Sequence, residues 1–265
     1  MMIIGIFGCG AIGTEICRGL SDAQIDGKLF FTDRHIERAI KLAKESKLPA
    51  EFGPFHDLVN AANLVVECAS PQAAREIALP VLQRGKSLML LSAGVLVDPE
   101  FAKEVYETAR QNNCTVYIPS GSIGCIDAVK AASVGEIRSI TLTTIKPPSG
   151  FADAPYVVDH KVDLSTKGII FKGTAKEAIL GFPENVNVSA TLSLAGAGFE
   201  RTIVRIIVDP TVTTNVHELE VEGDVGRFYA RFENVPTENQ KTSKLAAYSA
   251  IAMIIQILGS VQVGT

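Results

Sequence analysis

The sequence is poor in the residues that build metal and disulfide sites, with four histidines and five cysteines in 265 residues. The cysteines (Cys9, Cys17, Cys68, Cys114 and Cys125) are odd in number and scattered. None forms a CxxC or stands at ligand spacing from a histidine, so neither a disulfide framework nor a zinc site is expected, and a reducing, cytoplasmic location is the default. Positive charge is not in excess either. A net charge of −4 leaves no basic footprint for nucleic acid. Long apolar runs are missing as well: the longest, Leu245 to Leu258, contains Tyr248, Ser249 and Gln256 and falls short of a membrane span. Met2 to Phe7 leads straight into a glycine-rich turn, so no signal peptide is expected.

What is present suits a globular enzyme. With 47% hydrophobic and 20% charged residues, the chain can form one large α/β domain or two modest ones. The apolar run Met2 to Phe7 is followed by Gly8-Cys9-Gly10-Ala11-Ile12-Gly13, and Thr14 to Leu20 then reads as a helix. This is GxGxxG between strand and helix, the context a dinucleotide site needs. Gly8 permits the tight turn, Gly10 lets the backbone approach a pyrophosphate, and Gly13 lets helix pack on strand. The free N–H groups of the helix start, around Ala11 and Ile12, meet the anion. A second strand, Lys28 to Thr32, ends at Asp33, 20 residues past Gly13, where the ribose-binding acid belongs. Asp33 favours NAD by repelling a 2′-phosphate, whereas Arg34 beside it could hold that phosphate, so the cofactor is NAD or NADP.

Strand-like runs at 64–68, 87–91 and 115–118 alternate with helical patterns at 72–83 and 99–112. That alternation predicts a Rossmann-type, doubly wound parallel sheet over residues 1–120. Ligands of such sheets lie beyond the carboxyl ends of the strands. Ala69, Ser92 and Ala93 stand there, small enough for a nicotinamide ribose and ring, although ordinary strand-to-helix turns look the same. Residues 121–241 read as an α+β domain for substrate and catalysis. It has a largely antiparallel sheet (137–145, 168–173, 202–208, 215–222, 226–233), helices at 175–180 and 185–198, and an irregular loop at 151–163. A last helix, 242–258, is expected to pack back on the first domain.

The first domain carries no evident acid or base near its cofactor signature, and Glu67, at a strand end, reads as solvent-facing or structural. Hydride transfer that also moves a proton needs a titratable group. His35 and His56 read as surface residues and His160 as part of the irregular loop. In Asn215 to Glu222 the period is two, with Glu218, Glu220 and Glu222 on one face and His217, Leu219 and Val221 on the other. His217 therefore faces inward, either as a packed core histidine or as a proton carrier, and it is the best candidate. Asn185, Lys241, Thr242 and Ser243 are candidate substrate contacts. Lys241 to Ser243 can open a helix that cradles a carboxylate, or serve as a plain N-cap. Lys146, before two prolines, and Arg201 are further candidate cations for a carboxylate.

Taken in order, several motifs together resemble the L-aspartate dehydrogenase family over essentially the whole chain. They are Gly8 to Gly13, Val66-Glu67-Cys68-Ala69, Pro119 to Gly124 with Asp127-Ala128, Ile145 to Pro148, Phe182 to Val188, Asp209-Pro210, Asn215-Val216-His217 and Lys241-Thr242-Ser243. The resemblance implies oxidation of L-aspartate to iminoaspartate by NAD or NADP. The imine would hydrolyse to oxaloacetate and ammonia or feed NAD biosynthesis. It also implies that His217 is the acid/base, that Ser122 and Asn187 contact the cofactor, and that the protein is a homodimer. Two positions depart from the family pattern. Ser122 stands where alanine is usual, adding a hydroxyl, and Gln240 replaces a proline ahead of Lys241. A sugar or cyclitol dehydrogenase of the same plan would carry Glu-Lys-Pro where this chain has Leu91-Ser92-Ala93-Gly94, and a non-catalytic dinucleotide sensor would not need His217.

Overall fold

The computed structural model describes residues 1–183, 187–235 and 243–264. The chain divides into two compact units, Met1–Pro119 with Ala247–Gln262, and Ser120–Ala246 with the last residues from Val263.

In the first unit six parallel strands run β3-β2-β1-β4-β5-β6. They are β1 (Met2–Phe7), β2 (Gly27–Thr32), β3 (Ala50–Phe52), β4 (Leu64–Glu67), β5 (Ser87–Leu90) and β6 (Val116–Tyr117). The strand order reverses between β1 and β4, the place where a doubly wound sheet binds its ligand. The short edge strand β3 has no counterpart in the sequence reading, since three residues carry too little period to register. Helix starts follow local chemistry. The Ser70 hydroxyl accepts from the Ala73 N–H ahead of α4 (Pro71–Gln83), and the Asp98 carboxylate accepts from Glu100 and Phe101 ahead of α5 (Pro99–Gln111). The core joins Ile4, Ile6, Leu29, Phe31 and Val66 of the strands to Ile16 and Leu20 of α1 (Ala11–Asp22). Ala250, Ile251 and Ile254 of α10 (Lys244–Leu258) complete it. Among the described residues no helix is long and apolar enough to cross a membrane.

The second unit holds a five-stranded sheet of order β11-β10-β7-β9-β8. Its strands are β7 (Ile137–Lys146), β8 (Gly168–Thr174), β9 (Thr202–Val208), β10 (Asn215–Gly223) and β11 (Gly226–Asn234). Only β7 and β9 pair in parallel; the other pairings are antiparallel. One face packs Leu142, Leu219 and Val221 against Val129 and Ala132 of α6 (Ile126–Ser133) and Val188 and Leu192 of α9 (Asn187–Ala195). The segment expected to be an irregular loop is more ordered than its sequence suggests. Phe151 is fully buried, and Pro155–His160 forms α7. Tyr156 meets Phe171 and Phe182 at 5.4 and 5.3 Å between ring centroids, so aromatic packing supplies the order that local periodicity did not signal.

Asp209 closes β9. Its carboxylate accepts from the Thr211 N–H (3.0 Å) and hydroxyl (2.6 Å), and Lys167 pairs with it at 2.8 Å. Lys167 first and Thr211 next hold the carboxyl down at about 2. Because that value is below the unfolded one of about 3.9, the stabilisation is fully present above pH 4 and is lost as pH falls toward 2. Asp209→Asn is therefore expected to lower the melting temperature at pH 7, with the gap to the parent closing between about pH 4 and 2. Thermal scans of both proteins across that range check it, and a gap independent of pH would remove the carboxylate from the explanation.

Candidate active site

The glycine-rich turn shows why each glycine is needed. Gly8 has φ +107° and lies against Ala69, where a Cβ would come within 2.9 Å of its backbone. At Gly13 a Cβ would stand 2.1 Å from the Gly8 carbonyl oxygen, so helix α1 closes on β1 only because hydrogen is there. At Gly10 the opposite holds: a Cβ would meet nothing within 4 Å. The space above Gly10 is open, and no side chain caps the start of α1. The N–H groups around Ala11 and Ile12 thus form a cradle that fits a dinucleotide pyrophosphate. Asp33 braces the same turn, accepting from the Cys9 N–H at 2.7 Å and the His35 N–H at 2.8 Å, with Arg34 exposed beside it.

Glu67 is not solvent-facing. It is fully buried at the end of β4 and structural in a specific sense. Its carboxylate accepts from the N–H groups of Ala69 (2.9 Å), Ser70 (3.1 Å) and Ser92 (3.0 Å), and from the Ser92 hydroxyl (3.0 Å). Burial pushes its carboxyl upward, and these four donors pull it back. A buried carboxylate costs several kcal/mol unless donors meet it, and each hydrogen bond to a charged group returns roughly 1.5–3 kcal/mol. Glu67 therefore fastens the two loops beyond β4 and β5 to each other. Ser92 and Ala93 are buried, with the Ser92 hydroxyl engaged by Glu67, while Ala69 is exposed.

In the second unit the side chains gather around His217. Its three fellow histidines, His35, His56 and His160, are exposed, and His160 stacks on Tyr156 at 4.1 Å. His217 is 1% exposed, on β10 opposite Thr144 of β7. Its Nδ1 lies 3.0 Å from the Thr144 hydroxyl and its Nε2 lies 3.4 Å from the Ser122 hydroxyl. Burial first, and the Lys146 charge second, push its pKa down to about 3, so the imidazole is neutral at ordinary pH. Lys146 is buried two residues beyond Thr144, on the same side of β7. Asn215, on the His217 side of β10, donates to the Ser243 hydroxyl at 3.2 Å. The Asn234 side chain donates to the Ser122 carbonyl at 2.8 Å and pins that loop. Asn187 opens α9, and its Oδ1 is buried without a hydrogen-bond partner among the described residues. A ligand donor there would satisfy it.

Of the residues singled out from sequence, Ser122 and Lys146 lie about His217, and Ser243 meets Asn215 of the same strand. Asn185, Lys241 and Thr242 lie outside the described residues. Arg201 does not join them. It is exposed at the far end of β9, donating to the Ile137 carbonyl where β7 begins. Thr144, Asn234 and the clamping role of Glu67 had no sequence signal, because each depends on a partner from another strand or loop.

A family model described as aspartate dehydrogenase, C-terminal, matches residues 127–257, and one described as homoserine dehydrogenase, NAD binding domain, matches residues 8–119. The chain is 46% identical to the L-aspartate dehydrogenase of Methanosarcina mazei over 271 residues, covering 100% of both proteins. It is 45% identical to that of Methanosarcina barkeri over 272 residues, again covering 100% of both. Among solved structures it is similar to aspartate dehydrogenase from Thermotoga maritima, at 25% identity and a TM-score of 0.76 over 100% of each chain.

The two glycines make separable predictions. Gly10→Ala, whose methyl enters open space, should leave the melting temperature unchanged and weaken NADH binding about 10-fold or more, since one lost or blocked charged contact is worth that much. Gly13→Ala should lower the melting temperature, because the Gly8 carbonyl must move. Thermal unfolding and NADH fluorescence titration of both variants check this; tight NADH binding by Gly10→Ala would remove the anion cradle.

Proposed function

The chain belongs to the L-aspartate dehydrogenase family, and from that premise we propose that His217 is its general acid/base and Lys146 a carboxylate-binding cation. The reaction is the NAD- or NADP-dependent oxidation of L-aspartate. The bound nicotinamide supplies the hydride acceptor, and the chain supplies everything else. The turn from Gly8 to Gly13 would hold the pyrophosphate and Asp33 the ribose, and Ser122 and Asn187 are proposed as further cofactor contacts.

The observation that carries the His217 assignment is its burial beside a cation, with both ring nitrogens held by hydroxyls. An imidazole pushed down to about 3 is a poor base until its surroundings change. A dicarboxylate would bring that change. It would balance the Lys146 charge and place negative charge near the ring, and both effects raise proton affinity. His217 would thus become a competent base for the substrate amine only when aspartate is bound, and it would donate the same proton in the reverse direction. Ser243, whose hydroxyl accepts from Asn215, is proposed as a further carboxylate contact.

The resulting iminoaspartate would hydrolyse to oxaloacetate and ammonia or be consumed in NAD biosynthesis. The five free thiols suit a cytoplasmic setting. A homodimer is proposed by likeness to the family.

The test is formation of reduced cofactor from NAD or NADP with a panel of L-amino acids. Turnover is expected with aspartate, and its absence alongside intact NADH binding would overturn the substrate. His217→Ala should reduce turnover by about 10²-fold or more with NADH affinity preserved; unchanged turnover would exclude His217 as the base. Sedimentation equilibrium should give twice the chain mass, and a monomer would refute the dimer.

A further inference from the structure

We propose that Thr144 is a positioning residue for the reaction: its hydroxyl fixes the plane and the tautomer of His217. The inference rests on the acid/base assignment of His217 and deepens it. Thr144 is fully buried in β7, which lies between β10 and β9 in its sheet, so the backbone position of its Cβ is set from both sides. Threonine is stiff at χ1, so few placements of its hydroxyl are open. Strand register sets Thr144 directly opposite His217, and its Oγ1 lies 3.0 Å from Nδ1.

The chemistry of that contact decides what the other ring nitrogen does. For Nε2 to accept a proton, Nδ1 must carry the ring hydrogen. The Thr144 oxygen accepts that hydrogen, and it does so whether the ring is neutral or protonated. Nε2 then points toward Ser122, whose hydroxyl is 3.4 Å away, a long contact that a substrate amine can displace. Ser122 is held in turn by Asn234 through its carbonyl. The partner of Nδ1 is a neutral hydroxyl, where many acid/base histidines have a carboxylate. A hydroxyl orients the ring without trapping the proton on it, so the same imidazole can take a proton in oxidation and return it in reduction.

The test uses three variants of the full chain. Thr144→Val is nearly isosteric and removes only the hydroxyl. It is expected to fold with at most a small drop in melting temperature, to keep the parent's NADH affinity and to lose about 10- to 100-fold in kcat, part of the 10²–10⁴ that acid–base work contributes. Thr144→Ser keeps the hydroxyl but loses the methyl. It is expected to melt lower than Thr144→Val yet to recover most of the turnover. This crossing of stability and activity would not arise from packing alone. Should Thr144→Val not fold, Thr144→Ala takes its place with the same expected loss. Parental kcat in the valine variant, or a serine variant as slow as the valine one, would overturn the proposal. The His217→Ala control separates the two layers. If that control loses turnover and Thr144→Val does not, only the role of Thr144 fails; if the control keeps turnover, the acid/base assignment fails first.

Discussion

The pairing of β7 with β10 is the constraint on which the chemistry of the second unit depends. In this register Leu219 and Val221 face the helices and Glu218, Glu220 and Glu222 face outward. Each of the two apolar side chains contributes roughly 1.5–3 kcal/mol when buried. A slip of one residue would expose both and bury glutamates. The register is therefore held by ordinary hydrophobic patterning along the strand. His217 and Thr144 inherit their apposition from it, without having to bring it about themselves. A polar pair of this kind could not organise a strand, because its net contribution is about 1 kcal/mol.

A different solution holds the first unit's loops. Glu67 is an ionisable group in a place without water, and it is tolerated because three backbone N–H groups and one hydroxyl converge on it. Those N–H groups belong to turns just past β4 and β5, where the sheet gives them no carbonyl partner. One carboxylate thus answers the unmet donors of two loops at the switch point of the sheet. Asp33 does the same on a smaller scale for the Cys9 and His35 N–H groups. Short polar loops in this unit are held by acids; the imidazole in the other is held by hydroxyls.

How much of this is legible in sequence follows from the range of each interaction. The spacing of Gly8, Gly10 and Gly13 is local, so the sequence alone marks a tight turn with room for an anion. The period-two alternation around His217 is equally local, and the burial along β10 follows it from His217 to Gly223. Glu67 stays open between a solvent-facing and a structural role in sequence because a carboxylate at a strand end is usually hydrated, and its four donors come from loops whose paths periodicity does not describe. The helix α7 was missed for a similar reason: its order comes from Tyr156, Phe171 and Phe182 meeting across sequence. Thr144 sits in a run of threonines, Thr141, Thr143 and Thr144, where nothing local marks the one that faces the imidazole. Arg201 was a reasonable cation until the parallel pairing of β7 and β9 set it at the wrong end of the sheet.

The low proton affinity of His217 in the free chain then follows from the fold itself. Burial excludes water from the ring, and Lys146 adds a like charge to any proton it takes. An imidazole with a carboxylate partner would be charged at rest, and a dicarboxylate would then bind to two cations with little reason to release. Here the resting ring is neutral, with the Lys146 cation near it. On the proposed assignment the ring's basicity would appear as the substrate's own charge arrives. Binding and deprotonation would then be coupled through electrostatics, with no moving part required. On the proposed assignment the coupling would favour a substrate with an anionic side chain, since that second carboxylate adds negative charge near the ring beyond what the α-carboxylate of any amino acid brings.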